Sequence, residues 1–375
     1  MATNNSAVAR KTFVITLVAV LTVTGAIAFW KLRLVVALLF LSFMIASAMR
    51  PGVENMVRYR IPRLVGVLAH YAALFGLLGL VLWFVIPNLS AEVEHAIGSV
   101  PQTRADLKQA AAHSTGIKRD VLVGLQKQLK NAPSFNNLVH PALDLTKKAL
   151  EILVGVFFVL ACAVYWIYDR ERFTDLVVSF VPRSKRKKVR DAWDLVELKL
   201  GAYVRAQVLM ICFVGSVLSF AFWQIGLPYW LFLGLFAGVV EIIPVVGPLL
   251  AGVAAIGVAL TVSLQAAALT AVAVYGLRLL QDYVIGPKVL GNTIGIAPMA
   301  ILVTVSAFGI LLGPTFVPLA TPFAAVAVTI VDVLLRGKEP TKEEVATVLM
   351  PSKELGEYQE QTEKKARRRT HARSN

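Results

Sequence analysis

The chain has 375 residues, of which 57% are apolar and only 16% are charged, and its mean hydropathy is +0.68. Soluble domains carry roughly a quarter charged residues, so this composition excludes an ordinary water-soluble protein and the disordered, collagen-like and disulfide-rich classes. The 38 Lys and Arg exceed the 23 Asp and Glu, which gives a formal net charge of +15. An all-α, polytopic helical membrane protein remains as the expected fold class.

Apolar runs in the first 225 residues predict five conventional membrane spans. Basic residues collect beside several of these runs, and short loops rich in Lys and Arg lie on the cytoplasmic side of membranes. We therefore expect a multi-pass membrane protein with both termini in the cytoplasm. The predicted spans are residues 13–30, 34–49, 64–86, 150–168 and 210–225.

Changes in polarity along the chain divide it into five segments. Residues 87–148 are more polar but keep helical periodicity, which indicates amphipathic helices outside the cytoplasm. The segments are an N-terminal three-span segment (1–86), an extracytoplasmic amphipathic helical segment (87–148), the fourth span with a basic cytoplasmic helical loop (149–205), a transport core (206–335) and a charged cytoplasmic tail predicted to be disordered (336–375).

Two apolar stretches near the C-terminus, residues 229–264 and 297–335, are interrupted in their middle. Each arm of the first has about 15 residues and would be about 22 Å long, short of the roughly 30 Å hydrocarbon core. We expect two broken helical hairpins, which form an inverted repeat if neither crosses the membrane; plain spanning pairs are the alternative, and the total is about 8 spans (6 to 10). The interrupting residues are Pro244, Gly247 and Pro248 in the first hairpin and Gly309, Gly313 and Pro314 in the second.

Glu241 is the only charged residue between Arg205 and Arg278. A carboxylate at membrane depth costs several kcal/mol unless it is protonated, paired or hydrated. One interpretation is a cation or proton site at the break, where Pro244 would free the carbonyl of Val240 and Gly247 would allow close backbone approach. The other is a protonated side chain that caps backbone amides beside Pro244.

A second polar group lies at the cytoplasmic end of the next helix. Arg278 and Asp282 are four residues apart on one helical face, which predicts an interfacial salt bridge. The alternative is a polar lining or gate that meets Glu241. The members of this group are Arg278, Gln281, Asp282, Pro287, Lys288 and Gly291.

Motifs for soluble chemistry do not occur in the sequence. The 5 His and 2 Cys show no metal-ligand spacing, and neither a phosphate-binding glycine loop nor a nucleophile elbow is present. We therefore expect no cofactor, no metal and no enzymatic activity.

Six of the eight residues from Arg183 to Arg190 are basic. Next to membrane spans, such a basic run favours contact with anionic lipids over contact with nucleic acid.

Several motifs in chain order resemble the autoinducer-2 exporter family of bacterial inner-membrane proteins. The resemblance covers about residues 10–338, and it implies a transport protein whose relatives are associated with export of a furanone signal or with sodium–proton antiport. The motifs are Gly226-Leu227-Pro228-Tyr229, Glu241-Ile242-Ile243-Pro244-Val245-Val246-Gly247-Pro248, Gln281-Asp282-Tyr283-Val284-Ile285-Gly286-Pro287-Lys288-Val289-Leu290-Gly291, Tyr168-Asp169-Arg170 and Gly201-Ala202-Tyr203-Val204-Arg205-Ala206-Gln207.

Three functional hypotheses remain open. The first is export of a small solute, autoinducer-2-like or another small metabolite, coupled to H⁺ or Na⁺ exchange through Glu241. The second is a passive pore or membrane scaffold without ion coupling, and the third is a sodium–proton antiporter. We also expect a homo-oligomer, because small residues permit close helix contact; these residues are Gly234, Gly238, Gly252 and Gly257.

Overall fold

The structure is a computed structural model. It describes residues 2–98, 135–244, 246–285, 298–347, 350–354 and 360. These residues are almost entirely helical, and seven helical stretches among them are long and apolar enough to cross a membrane. Three shorter apolar helices accompany them. The predicted fold class, a polytopic helical membrane protein, is therefore confirmed.

Five long helices form the first part of the chain. They are α1 (Ala2–Lys31), α2 (Arg33–Arg58), α3 (Arg63–Gly98), α4 (Phe135–Ser179) and α5 (Arg186–Ile225). Helices α4 and α5 have 45 and 40 residues, which corresponds to about 68 and 60 Å, or about twice the thickness of the hydrocarbon core. The spans predicted to end at residues 86 and 168 thus continue as helices to Gly98 and Ser179, and the first does so although Pro87 directly follows its predicted end.

A tight turn reverses the chain after α5. Gly226 has a φ of +79°, and its N–H donates to the carbonyl of Trp223 at 3.0 Å. The N–H of Leu227 donates to the carbonyl of Phe222 at 3.0 Å, so the two bonds form a Schellman motif that ends the helix. Phe222 and Leu227 are both buried, which anchors the turn in the core.

The first predicted hairpin is broken between Val240 and Val246, so Pro244 lies in the break while Gly247 and Pro248 lie in the first turn of the next helix. Helix α6 (Trp230–Val240) has 11 residues and α7 (Val246–Val262) has 17. At about 1.5 Å per residue, α6 is about 16 Å long and α7 about 26 Å, so neither reaches the roughly 30 Å of a full crossing. Ser263 then caps α8 (Leu264–Leu280), because its hydroxyl accepts from the N–H of Ala266 at 3.0 Å.

The second hairpin is broken as well. Helix α9 (Pro298–Ala307) continues into a π turn, Phe308–Leu312, and a 3₁₀ turn, Pro314–Leu319, leads into α10 (Ala320–Leu334). Gly313 joins the two turns with a φ of +103°, a backbone conformation that residues other than glycine rarely adopt. The inverted-repeat relation between the hairpins stays a prediction.

Two compact units share the chain, and helices α2, α4 and α5 contribute residues to both. One unit comprises residues 1–47, 157–201 and 295–340. Its described core contains a cluster of four aromatic rings from α2, α4 and α5, with centroids 4.5–6.1 Å apart. The rings belong to Phe43, Trp166, Phe173 and Trp193.

The other unit comprises residues 48–156, 202–294 and 341–375. Its described core is formed by α5 to α8, and Ala251, Ala255 and Ala259 recur every four residues along one buried face of α7. Small side chains let helix backbones approach closely, which is a common way to pack helices in lipid.

A short antiparallel hairpin lies in the tail. Strand β1 (Glu344–Thr347) pairs with β2 (Met350–Glu354). Val345 and Thr347 in β1 are residue types that favour extended backbone. The division into five segments, including a disordered tail, stays a prediction.

Candidate functional site

The break between α6 and α7 is set by Pro244. Proline disfavours helical backbone in the residue before it and has no N–H to donate. The carbonyl of Val240 was predicted to be free for this reason, and that prediction is wrong, because it accepts from the N–H of Ile243 at 3.0 Å. The chain turns tightly after α6, so the N–H of Ile243 replaces the N–H that Pro244 lacks.

The first turn of α7 is satisfied within the break. The N–H of Val246 donates to the carbonyl of Pro244 at 2.7 Å, and that of Gly247 donates to the carbonyl of Ile243 at 2.9 Å. A Cβ on Gly247 would lie 2.6 Å from the carbonyl carbon of Val240, so only glycine fits there. Pro248 is tolerated in this first turn, where its missing N–H costs no helical hydrogen bond. Val245 lies outside the described residues.

Glu241 follows the last residue of α6, and its side chain is 11% exposed. Its Oε1 atom accepts from Nε2 of Gln281 at 3.2 Å and lies 3.4 Å from Nη1 of Arg278. Gln281 is buried, at 5% exposure, and begins a π turn, Gln281–Ile285, that extends α8. The structure thus brings Arg278 and Gln281, which lie 37 and 40 residues after Glu241, to one of its carboxylate oxygens.

Arg278 also contacts a second carboxylate. Its Nε donates to Oδ2 of Asp282 at 3.0 Å, and the side chains of Arg278 and Asp282 are 34% and 49% exposed. The salt bridge and the meeting with Glu241, which the sequence presented as alternatives, are both present. A role as gate or polar lining stays a prediction. The remaining members of this group, Pro287, Lys288 and Gly291, lie outside the described residues.

Gln207 is a further residue of this site, to which sequence reasoning assigned no role. It lies on α5, and its Nε2 donates to the main-chain carbonyl of Glu241 at 3.2 Å. An extra donor at this carbonyl is valuable, because Pro244 and the turn after it end the helical ladder here. Its place in the motif shared with the family was the signal that could have found it.

The interrupting residues of the second hairpin belong to the other unit. A Cβ on Gly309 would make an ordinary contact with Val317 at 3.6 Å, while a Cβ on Gly313 would have no neighbour within 4 Å. Glycine is therefore required at position 313 because of its backbone conformation. At position 309 it is required neither for backbone conformation nor for space. Pro314 opens the 3₁₀ turn. Asp332 pairs with Arg336 at 2.9 Å and with Lys338 at 2.8 Å near the end of α10.

A buried ionic cluster between α4 and α5 was missed by sequence reasoning. Arg170 donates to Oε2 of Glu197 at 2.6 Å and also pairs with Asp194. The Glu197 side chain is only 4% exposed. The sequence placed these residues in a cytoplasmic loop, where charge is expected to be solvated, so no signal except the Tyr168-Asp169-Arg170 motif marked them.

Of the four glycines predicted to support contacts between copies, three have neighbours from other parts of the chain. A Cβ on Gly238 would lie 2.6 Å from the carbonyl oxygen of Ile211, and one on Gly234 would overlap Ser219. Gly252 faces Val274 at 3.5 Å, so Gly257 alone of the four has open space around it. Three of the four glycines thus face neighbours within the chain, and oligomerisation stays a prediction.

The basic connection between α4 and α5 is exposed. Arg190 pairs with Asp175 at 2.5 Å, and Arg186 donates to the carbonyl of Val181 at 3.0 Å. Arg183 and Lys185 are exposed and form no ion pair within the described residues. Contact of this connection with anionic lipids stays a prediction.

Metal-ligating side chains do not cluster in the described part of the chain, where no group of three or more His, Cys, Asp or Glu could hold a metal ion. Glu241 is instead a single acid with one cationic and one amide partner. This arrangement could bind a proton or a small monovalent cation at the carboxylate, provided that the cation competes with Arg278.

Many membrane-spanning helices, interrupted apolar segments and an acid at one interruption together define the class of membrane transport proteins. The chain belongs to a family within this class: the model of the AI-2E family transporter matches residues 15–336. This confirms the family resemblance seen in the sequence motifs.

Relatives in distant organisms are similar over most of the chain. YrrI of Bacillus subtilis is 26% identical over 293 residues, covering 77% of this chain and 83% of YrrI. MT0215 of Mycobacterium tuberculosis is 27% identical over 316 residues, covering 82% of this chain and 85% of MT0215. Both carry the name "Putative transport protein". The family supports membrane transport rather than catalysis as the general function of the chain.

Proposed function

We propose that the protein is a secondary transporter that exports a small solute in exchange for H⁺ or Na⁺ bound at Glu241. The observation that carries the proposal is the position of the Glu241 carboxylate, 11% exposed at the break between two helices that are each too short to cross the membrane. Interrupted helices create polar backbone at membrane depth, which is where transporters bind substrates and coupling ions. A nucleotide-binding motif does not occur in the sequence, so an ion gradient is the expected energy source.

The chemistry of the site supports a cation as the coupling ligand. A carboxylate removed from water is costly when it is unpaired, so Glu241 needs a counter-charge in every state of the transport cycle. Arg278 supplies that charge in this structure. Binding of a proton or Na⁺ would supply it in another state, and alternation between the two would couple cation movement to the conformation of the break.

The solute follows from the family resemblance rather than from the site. An autoinducer-2-like signal or another small metabolite is the expected cargo, and the bacterial inner membrane with both termini in the cytoplasm is the expected location. The same carboxylate would also serve a sodium–proton antiporter, in which the two cations compete for Glu241 and no organic solute moves.

Flux through purified protein in liposomes tests the proposal. We would impose a pH or Na⁺ gradient and measure ²²Na⁺ uptake, internal pH and movement of labelled candidate solutes. Glu241→Gln should abolish gradient-driven exchange. The amide of the new side chain cannot ionise, so it has no negative charge with which to bind a cation. Glu151→Gln is the matched control, since Glu151 on α4 is exposed and distant in sequence from the site.

The outcomes separate the hypotheses. Loss of exchange in Glu241→Gln together with normal exchange in Glu151→Gln supports coupling through Glu241. Cation exchange without movement of any organic solute would favour the antiporter. Downhill flux that is equal in the wild type and in Glu241→Gln would contradict the proposal and favour a passive pore.

A further inference from the structure

Arg278 lies between two carboxylates at the end of α8. Its Nη1 atom is 3.4 Å from Oε1 of Glu241, and its Nε atom donates to Oδ2 of Asp282 at 3.0 Å. Because different nitrogens make these contacts, one guanidinium holds both acids at once. Release of either contact therefore leaves the other intact.

The two contacts differ in length and in exposure. The contact with Asp282 is shorter, and Asp282 is 49% exposed, four residues along the same face as Arg278. The contact with Glu241 is longer, and Glu241 is 11% exposed on a different segment of the chain. Asp282 is thus a stable local partner, whereas the pairing with Glu241 depends on the position of the break relative to α8.

Among the described residues, nothing occupies the second carboxylate oxygen of Glu241, which leaves it open to another ligand. Arg278 and Gln281 both approach Oε1, and within the described residues no donor contacts Oε2. A carboxylate offers lone pairs on both oxygens, so a small cation could reach Oε2 before Arg278 leaves Oε1. The arginine itself stays charged throughout, since guanidinium groups do not lose their proton in proteins.

We propose that Arg278 is an internal cation that competes with the transported cation for Glu241, and that Asp282 holds Arg278 while the transported cation is bound. The inference deepens the proposed function and rests on it. The competing ligand is H⁺ or a monovalent metal ion, because the described residues of the site include one buried carboxylate and no cluster of the several acids that divalent ions require.

This competition would serve the return step of the transport cycle. After the transported cation leaves, a bare carboxylate at membrane depth would oppose any movement that keeps it out of water. Arg278 neutralises Glu241 at that stage and lets the empty site move. Asp282 prevents the displaced guanidinium from becoming an unpaired charge when the next cation binds.

A double-mutant cycle on the cation dependence of exchange tests the proposal. We would measure the half-saturating cation concentration and the maximal rate in liposomes for the wild type, Asp282→Asn, Arg278→Gln and the double variant. Asp282→Asn should raise the half-saturating concentration about twofold or more, because Arg278 then stays longer on Glu241. Arg278→Gln should lower it about tenfold, because the competitor is gone. Arg278→Lys keeps the charge and should stay nearer to the wild type.

The decisive result is whether the effect of Asp282→Asn on the half-saturating concentration requires Arg278. In the Arg278→Gln background, Asp282→Asn should leave the half-saturating concentration unchanged. A shift of equal size in both backgrounds would overturn the inference, because Asp282 would then act on the cation directly. Asp282 is half exposed, so Asp282→Asn should fold normally; an unchanged half-saturating concentration in that variant alone would also overturn the inference.

Failure of the inference is distinguishable from failure of the proposed function. If exchange persists in Glu241→Gln, both the proposed function and the competition are refuted. If exchange is lost in Glu241→Gln but the effects of Arg278→Gln and Asp282→Asn are independent of each other, only the competition is refuted.

Discussion

Gly247 offers the sharpest test of how the break positions Glu241. In Gly247→Ala the added methyl carbon would lie 2.6 Å from the carbonyl carbon of Val240, whereas carbon atoms prefer separations of about 3.5–4.0 Å. Backbone atoms cannot rotate away as a side chain can, so the break itself must shift by about 1 Å. Overpacking of this kind costs about 1–3 kcal/mol.

Gly257→Ala is the matched control, because Gly257 lies on the same helix α7 and an added Cβ would have no neighbour within 4 Å. Both variants gain the preference of alanine for helix, about 1 kcal/mol, so the difference between them isolates the clash. Each kcal/mol shifts the midpoint of thermal unfolding by about 2–4 °C in domains of 150–250 residues, and by somewhat less in this longer chain.

The measurement is tryptophan-detected thermal unfolding of both variants in the same detergent. We expect Gly247→Ala to unfold several degrees below Gly257→Ala and to lose cation-driven exchange, because Glu241 lies one residue after Val240. Equal midpoints and equal exchange in the two variants would refute the geometry given for the break.

Three further predictions concern other parts of the chain. Gly238→Ala should lower the unfolding midpoint relative to Gly276→Ala, because the methyl meets the carbonyl of Ile211 at 2.6 Å while Gly276 faces open space; equal midpoints would contradict this packing. Arg170→Gln should destabilise the protein by about 3 kcal/mol, since it removes the cation bound to the buried Glu197, and urea unfolding that matches the wild type would exclude this role. A C-terminal green fluorescent protein fusion should fluoresce and a phosphatase fusion should be inactive, as expected for a cytoplasmic C-terminus; the reverse pattern would place the terminus outside.

Glu241 shows how far a membrane sequence can be interpreted without its structure. Lipid excludes charge so strongly that a single acid in a long apolar stretch is visible in the sequence, and a Pro-Gly-Pro pattern beside it predicts an interrupted helix. The structure places the break between Val240 and Val246, so Pro244 lies in it while Gly247 and Pro248 lie in the first turn of α7. The hydrogen bonding of the break was not predictable, since it depends on how sharply the chain turns after Val240.

Sequence alone determined the class of protein, the interrupted apolar segments and the acid at one of them, because hydropathy and proline act locally and leave their pattern in consecutive residues. Only the tertiary structure decided which side chains meet that acid. Gln207 and Gln281 lie 34 and 40 residues from Glu241, and such contacts depend on helix packing that no local pattern encodes. The same reason hid the Arg170 cluster, whose burial follows from the contact of α4 with α5 and not from its own polar sequence.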